Sequence, residues 1–254
     1  MIIIALLLLG SLLPNLSFTA SVKVRIVNGN EATPHSRPYM VSIAKNGRHI
    51  CAGFLISDQF VLTAAHCRDG SEALTVMAGA HDLVRKKEKH ITVSVQSYHK
   101  HPDYNPKSST PNKADLMILE LRKKVQLNDN IKTIPIPTTP EEIKEDTACS
   151  VAGWGFVTNS GPASLTLREA NVKVKNNMDC AARRARVYVA SQMMCVYGKG
   201  GTCKGDSGGP LVCGNTAVGI TSFGRKDSCN DPVAPNVSIK ISAFLQWIKS
   251  ITKI

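Results

Sequence analysis

No charged side chain appears before Lys23, and no apolar run reaches the roughly 20 residues that a helix needs to cross a bilayer. Residues 2–9 are apolar throughout, but Gly10, Ser11, Pro14 and Asn15 break the run beyond Leu9. That pattern suits a signal peptide over residues 1–20, with small residues at Thr19, Ala20 and Ser21 as alternative cleavage sites. The usual basic residue near the start is missing, so the free amino terminus would serve in its place. A membrane anchor is the competing reading. Aromatic residues are scarce at 5%, which argues against a base-stacking nucleic-acid platform. No Cys-x-x-Cys occurs, so a zinc site is a poor explanation of the cysteines. Helical periodicity is missing everywhere except at the C-terminus.

What is present describes a globular chain. Of 254 residues, 43% are hydrophobic and 20% charged, enough to bury a core. Short segments are punctuated by 18 Gly and 13 Pro. Ile91, Val93 and Val95 alternate with polar residues, as do Ala170, Val172 and Val174, and both read as half-buried strands. Leu116–Leu119 and Val218–Ile220 fit fully buried strands. Residues 124–132 form a polar link between two halves. Phe244, Trp247, Ile248 and Ile251 recur at the spacing of one helical face. The eight cysteines, an even number behind a secretion signal, read as disulfides, with their pairing left open by spacing alone. Lys plus Arg exceed Asp plus Glu by 31 to 19, for a net charge of +12, which favours polyanionic partners without choosing among them.

Three local motifs carry chemistry. Thr63-Ala64-Ala65-His66-Cys67 follows an apolar strand. Asp115 stands at the lip of Leu116–Leu119. Gly205-Asp206-Ser207-Gly208-Gly209-Pro210 puts a serine in a glycine-rich turn. Each alone is commonplace; in the order His, Asp, Ser within a secreted disulfide protein they are specific. With Arg25-Ile26-Val27-Asn28-Gly29, Val151-Ala152-Gly153-Trp154-Gly155 and Ser222-Phe223-Gly224, they make residues 26–254 resemble the chymotrypsin-like (trypsin-like) serine proteases. Pro34-His35-Ser36-Arg37-Pro38-Tyr39-Met40 resembles the granule proteases of immune cells, the granzymes and mast-cell proteases. Thr166–Ala170 and Cys203–Asp206 look nearest to the granzyme A and K group.

The resemblance implies an all-β fold: two antiparallel six-stranded β-barrels and a C-terminal α-helix. The first barrel would occupy about 26–125, the second about 130–240 and the helix about 242–252. It implies a secreted or granule-stored serine endopeptidase, a monomer without cofactor or metal. His66 would be the general base, Asp115 its orienting partner, Ser207 the nucleophile, and the amides of Gly205 and Ser207 the oxyanion hole. Residues 21–25 would be a propeptide. Cleavage after Arg25 would free the ammonium of Ile26 to pair with Asp206. The family's disulfide pattern implies Cys51–Cys67, Cys149–Cys213, Cys180–Cys195 and Cys203–Cys229.

Specificity is where the chain departs from trypsin-like members. They carry an aspartate six residues before the serine; here that position is Gly201. Asn236, neutral and polar, would protrude into the pocket and give it an end that both donates and accepts. A neutral, medium-sized or polar residue before the cut bond is expected, with Arg and large aromatics worse. Ser222, Phe223 and Gly224 would form the remaining wall. Lys204, Arg225 and Lys226 around the cleft would favour acidic residues elsewhere in the substrate. Asn236-Val237-Ser238 is a glycosylation sequon, placed where a glycan has no room. Basic clusters at 85–90, 122–124 and 183–186 make sulfated proteoglycan a candidate partner beside protein substrates and protein inhibitors. His99-Lys100-His101 hints at metal but reads as a surface loop. The alternative function is a non-catalytic polyanion-binding or antimicrobial protein on the same fold; nothing points to specific nucleic-acid binding.

Overall fold

The computed structural model describes residues 26–85, 89–107, 113–184, 187–224, 229 and 235–254. The signal and propeptide expectations, and Arg225 and Lys226, lie outside the described residues. Among those residues the order is β1 (Asn30–Glu31), β2 (Met40–Lys45), β3 (Arg48–Leu55), β4 (Phe60–Thr63), a 3-10 turn (Ala65–Cys67), β5 (Leu74–Ala78), β6 (Ile91–Lys100) and β7 (Met117–Leu121). Then come β8 (Ala148–Gly153), β9 (Arg168–Val174), α1 (Asn177–Arg184), β10 (Met193–Tyr197), β11 (Pro210–Cys213), β12 (Thr216–Phe223) and β13 (Asn236–Lys240). A 3-10 turn (Ile241–Phe244) leads into α2 (Leu245–Thr252).

Strands β2-β3-β4-β7-β6-β5 close one antiparallel barrel. Strands β8-β9-β10-β13-β12-β11 close a second, because β8 pairs with both β9 and β11. Closure removes the free edges of the twelve barrel strands and leaves two-residue β1 outside, paired to β9 alone. The hairpin from β2 to β3 turns on Asn46 and Gly47, with φ of 52° and 74°; an Asn-Gly pair accepts the two positive φ angles that a tight hairpin demands. In β9, Arg168, Ala170, Val172 and Val174 are buried, so every second residue faces the core. The link from β7 to β8 is stitched to both barrels: the N–H of Ile134 donates to Leu55, and the carbonyl of Pro135 accepts from Ala217. Fully buried Trp154 of the second barrel donates its indole N–H to the carbonyl of His81 in the first, at 3.0 Å. No helix among the described residues is long and apolar enough to cross a membrane.

The structure differs from the sequence expectation in three places. The expectation puts residues 26–39 in the first barrel, yet β1 pairs with β9 of the second. The last helix starts at Leu245, not 242, because the preceding turn is 3-10. Helix α1 has no counterpart in the expectation. It is polar and buries only Cys180, so it has no apolar stripe to read. Polar and covalent contacts hold it: Asn176 caps its start through Oδ1 to the Asp179 N–H at 2.8 Å, Asn177 Oδ1 accepts from the Tyr188 hydroxyl at 2.6 Å, Arg184 donates to the Pro235 carbonyl at 2.9 Å, and Cys180–Cys195 ties it to β10.

The four disulfides are Cys51–Cys67, Cys149–Cys213, Cys180–Cys195 and Cys203–Cys229. Replacing Cys180 and Cys195 together by alanine releases a loop of 15 residues. It should cost about 3 kcal/mol in the chain-entropy account. Thermal unfolding of the double variant checks this; an unchanged midpoint would show that α1 is held by its cap and packing alone.

Candidate active site

His66 sits in the 3-10 turn after β4, stapled to β3 by Cys51–Cys67. Asp115 comes just before β7, which pairs with β4, so one register brings the two together. The carboxylate of Asp115 is 4% exposed and takes three bonds. Its Oδ1 accepts from the backbone N–H of His66 at 2.9 Å, and its Oδ2 accepts from His66 Nδ1 at 2.7 Å. The third donor is the hydroxyl of Ser222 in β12, reaching in from the second barrel. Burial alone would raise the carboxyl's pKa; the His66 and Ser222 bonds outweigh it and hold it below the usual value. For the imidazole, burial pulls down, but the bond to Asp115 and its charge pull harder, and the net shift is upward. With Nδ1–H committed to Asp115, Nε2 is left as the free, basic nitrogen.

Ser207 lies in the turn between Cys203 and β11. His66, Lys204, Gly205 and Ser207 line one cleft of about 350 Å³. Gly205 and Gly208 have φ of +93° and +82°, where L side chains are strained. A Cβ on Gly208 would also lie 2.1 Å from Thr63 Oγ1 and 2.4 Å from the Ala52 carbonyl. The carbonyl of Lys204 accepts from the Phe156 N–H at 2.7 Å. Carbonyl and N–H of a trans peptide point opposite ways, so the Gly205 N–H is turned away from Phe156.

The sequence alone does not single out His49. Its Nδ1 bonds the Ser42 hydroxyl at 2.8 Å and its Nε2 bonds the Gly205 carbonyl at 3.0 Å. Burial depresses its pKa to about 4, so it is neutral at physiological pH and donates one N–H to Gly205. Its position two residues before Cys51 is the available signal.

Asp206 is completely buried. Its oxygens accept from the N–H groups of Gly155 at 2.8 Å and Cys203 at 2.9 Å. Burial raises its pKa to about 7, against the pull of these two bonds. Gly153 and Gly155 are glycine for this reason: a Cβ on either would lie 2.1 to 2.5 Å from the carboxyl group. Ile26 is also fully buried, and the carbonyl of Val27 accepts from the Gly201 N–H at 3.0 Å.

On the other side of Ser207 is a cavity of about 300 Å³, lined by Thr202, Cys203, Lys204, Thr221, Ser222, Phe223, Gly224 and Cys229. Among the described residues no acidic group lines it. Thr202 and Thr221 are the polar residues of this lining that sequence reasoning missed. Gly201 is buried and bonded to Val27 rather than lining the cavity. The expectation that Asn236 both donates and accepts is corrected. Its Nδ2 is spent on the carbonyls of Thr202 and Cys229, leaving Oδ1 against Gly224, where a Cβ would lie 2.3 Å away. A buried amide committed in this way also has no room for a glycan. Two larger cavities, about 520 and 500 Å³, meet at Arg37, Val212 and Gly214 and share no residue with the Ser207 clefts.

Two closed barrels with a His–Asp pair and a glycine-cradled serine at their junction define a double-barrel serine hydrolase. The comparisons with known proteins agree. The trypsin family model matches residues 26–248. Duodenase-1 of Bos taurus is 38% identical, covering 89% of this chain and 88% of its own. Human granzyme B is 37% identical, covering 90% and 91%, and human cathepsin G is 36% identical, covering 96% and 92%. The solved structure of neuropsin, a serine protease from mouse brain, superposes with a TM-score of 0.81 at 33% identity, covering 87% of this chain and 97% of its own. This chain belongs to the trypsin family of chymotrypsin-like serine proteases, with granzyme and cathepsin G homologues, and is a serine endopeptidase.

The His66 imidazole of the free protein should titrate above 6.5 by NMR. Asp115→Asn should bring that midpoint down, since it removes the charge that favours the imidazolium. An unmoved midpoint would rule Asp115 out as the cause.

Proposed function

We propose that the protein is made as a zymogen, cut after Arg25, and hydrolyses peptide bonds through His66, Asp115 and Ser207. The observation that carries this reading is the bond from His66 Nδ1 to Asp115, with the other face of the imidazole in the cleft that Ser207 lines. His66 Nε2 takes the Ser207 proton as Oγ attacks the carbonyl carbon. The resulting oxyanion is met by the N–H groups of Gly205 and Ser207. His66 then hands the proton to the leaving amine, and water repeats the sequence on the acyl-enzyme. Asp115 stays ionised throughout and stabilises the imidazolium.

Activation follows from Asp206. A carboxyl group this deeply buried without a cation favours its neutral form. The ammonium freed at Ile26 would supply the cation and fix the loop that carries Gly205 and Ser207. Residues 1–20 would direct secretion or granule storage, in keeping with the four disulfides.

Among the described residues the cavity beside Ser207 has no anion for Arg or Lys, and Asn236 fills the space behind Gly224. Neutral side chains of medium size fit it. Cleavage after Arg25 removes two of 31 basic residues and none of the 19 acidic ones, leaving +10. Exposed Arg122 and Lys123 are among the groups that would hold a sulfated glycan, with affinity falling as salt rises.

A peptide-library cleavage map of the enzyme cut after Arg25 tests the first reading. Turnover should fall about 10⁶-fold in Ser207→Ala. Asn236→Gly should improve cleavage after large aromatics about tenfold by opening the pocket. Cleavage after Arg or Lys in the parent would refute the pocket reading. No cleavage at all would favour the polyanion-binding alternative.

The zymogen should lose stability as pH rises through about 7. The native pKa of Asp206 lies above its unfolded 3.8, so its contribution is whole below 3.8 and disappears above 7. Urea titration of cut and uncut chains checks this: the loss should be smaller in the cut form and absent from Asp206→Asn.

A further inference from the structure

Arg168 is the one arginine buried among the described residues, at 2% exposure, and the chemistry above does not use it. It opens β9 and stands directly opposite Glu31 of β1. Its Nη2 donates to the carbonyl of Gly29 at 2.9 Å, and its Nη1 lies 3.8 Å from Glu31 Oε2. The other oxygen of Glu31 is held by His81 Nε2 at 3.2 Å, and the carbonyl of His81 takes the Trp154 indole. None of these residues lines either cavity beside Ser207.

A buried guanidinium is a costly way to fill a barrel strand, and an apolar side chain would serve stability as well or better. What the guanidinium adds is a fixed point for one carbonyl, that of Gly29, three residues from Ile26. Gly29 is itself wedged in place. A Cβ there would lie 2.6 Å from the Glu169 carbonyl and 2.9 Å from Ile26 Cβ. Between Gly29 and Ile26 the segment is held by lighter contacts: Asn28 Nδ2 to the Lys199 carbonyl, and Val27 to the Gly201 N–H.

We propose that Arg168 is the positioning residue of activation. It pins Gly29 as the pivot about which Ile26–Asn28 docks, so that the freed amine arrives at Asp206. A tether of three residues on a fixed pivot gives the amine a high effective concentration at its partner; a loose pivot dilutes it. This rests on the activation reading above and goes beyond it by naming what aims the new terminus.

The test uses full-length zymogen, cut to completion after Arg25. Two quantities are read: the fraction of Ser207 labelled by a fluorophosphonate, and protection of the Ile26 amine from carbamylation by cyanate. The parent should label fully and protect its amine. Arg168→Met, which keeps the aliphatic stem, should shift the docking equilibrium at least tenfold towards the undocked form, as expected for losing a charged hydrogen bond, and so lower the labelled fraction below that of the parent. Its Ile26 amine should become reactive to cyanate, while the KM of the fraction still active stays unchanged. Arg168→Lys, with one ammonium for two partners, should fall between and decides the matter if the methionine variant does not fold. Full labelling with a protected amine in the substituted enzymes would overturn the proposal. So would lost labelling with the amine still protected, because Arg168 would then act on the fold and not on docking. If the cut parent leaves its amine reactive, or Asp206→Asn labels as well as the parent, the activation reading fails first and takes this one with it.

Discussion

A completely buried carboxyl group held by two backbone N–H groups is the constraint around which the second barrel is arranged. Asp206 is completely buried between Gly155 and Cys203, and burial pushes its pKa up to about 7, so a cation placed beside it would favour the ionised form. Fully buried Ile26 begins the segment that β1 continues, and β1 joins the second barrel rather than the first. The residues flanking Asp206 in sequence are Gly205 and Ser207. Whatever neutralises Asp206 therefore acts on the backbone that would hold an oxyanion, without touching substrate. Under the proposed activation, burial would convert a local charge problem into a control point.

The same economy governs Asp115. Its carboxylate is desolvated as well, yet three donors keep it ionised, and they come from both barrels: His66 through its backbone and its ring, and Ser222 from β12. The two carboxylates thus sit in similar burial with opposite pKa shifts. The difference is the partner. Asp115 has a histidine in place, whereas Asp206 has only backbone amides in the uncut chain. Docking of the barrels, stitched by Trp154 to His81 and by the β7–β8 link, is what keeps Ser222 within reach of Asp115.

Much of this is legible in the sequence, and the reasons differ by residue. Strand β9 can be read because its burial alternates with period two. His66, Asp115 and Ser207 stand out because each lies in a motif of the family, and the structure adds the His66–Asp115 bond and the cleft that His66 and Ser207 share. Helix α1 cannot, since a disulfide, a cap and side-chain hydrogen bonds to Tyr188 and Pro235 hold it and none of these leaves a hydrophobic pattern. His49 and Thr202 escape because a lone histidine or threonine carries no signal until a carbonyl or a cavity is placed beside it. The donor role of Asn236 is misjudged for the same reason. Its amide chemistry is plain, but only the fold puts the carbonyls of Thr202 and Cys229 within reach of Nδ2.

The sequence by itself determined the chemical inventory: a His, Asp and Ser in family motifs, glycines wherever a Cβ would collide, an even set of cysteines, and no acid at position 201. These follow from side-chain identity, which folding does not alter. Tertiary structure decided what each group can do. Proton affinity, hydrogen-bond partner and accessible volume depend on desolvation and on neighbours far away in the chain. Asp115 and His66 are 49 residues apart, Asp115 and Ser222 are 107 apart, and Gly29 and Arg168 are 139 apart. No local pattern records contacts at that range.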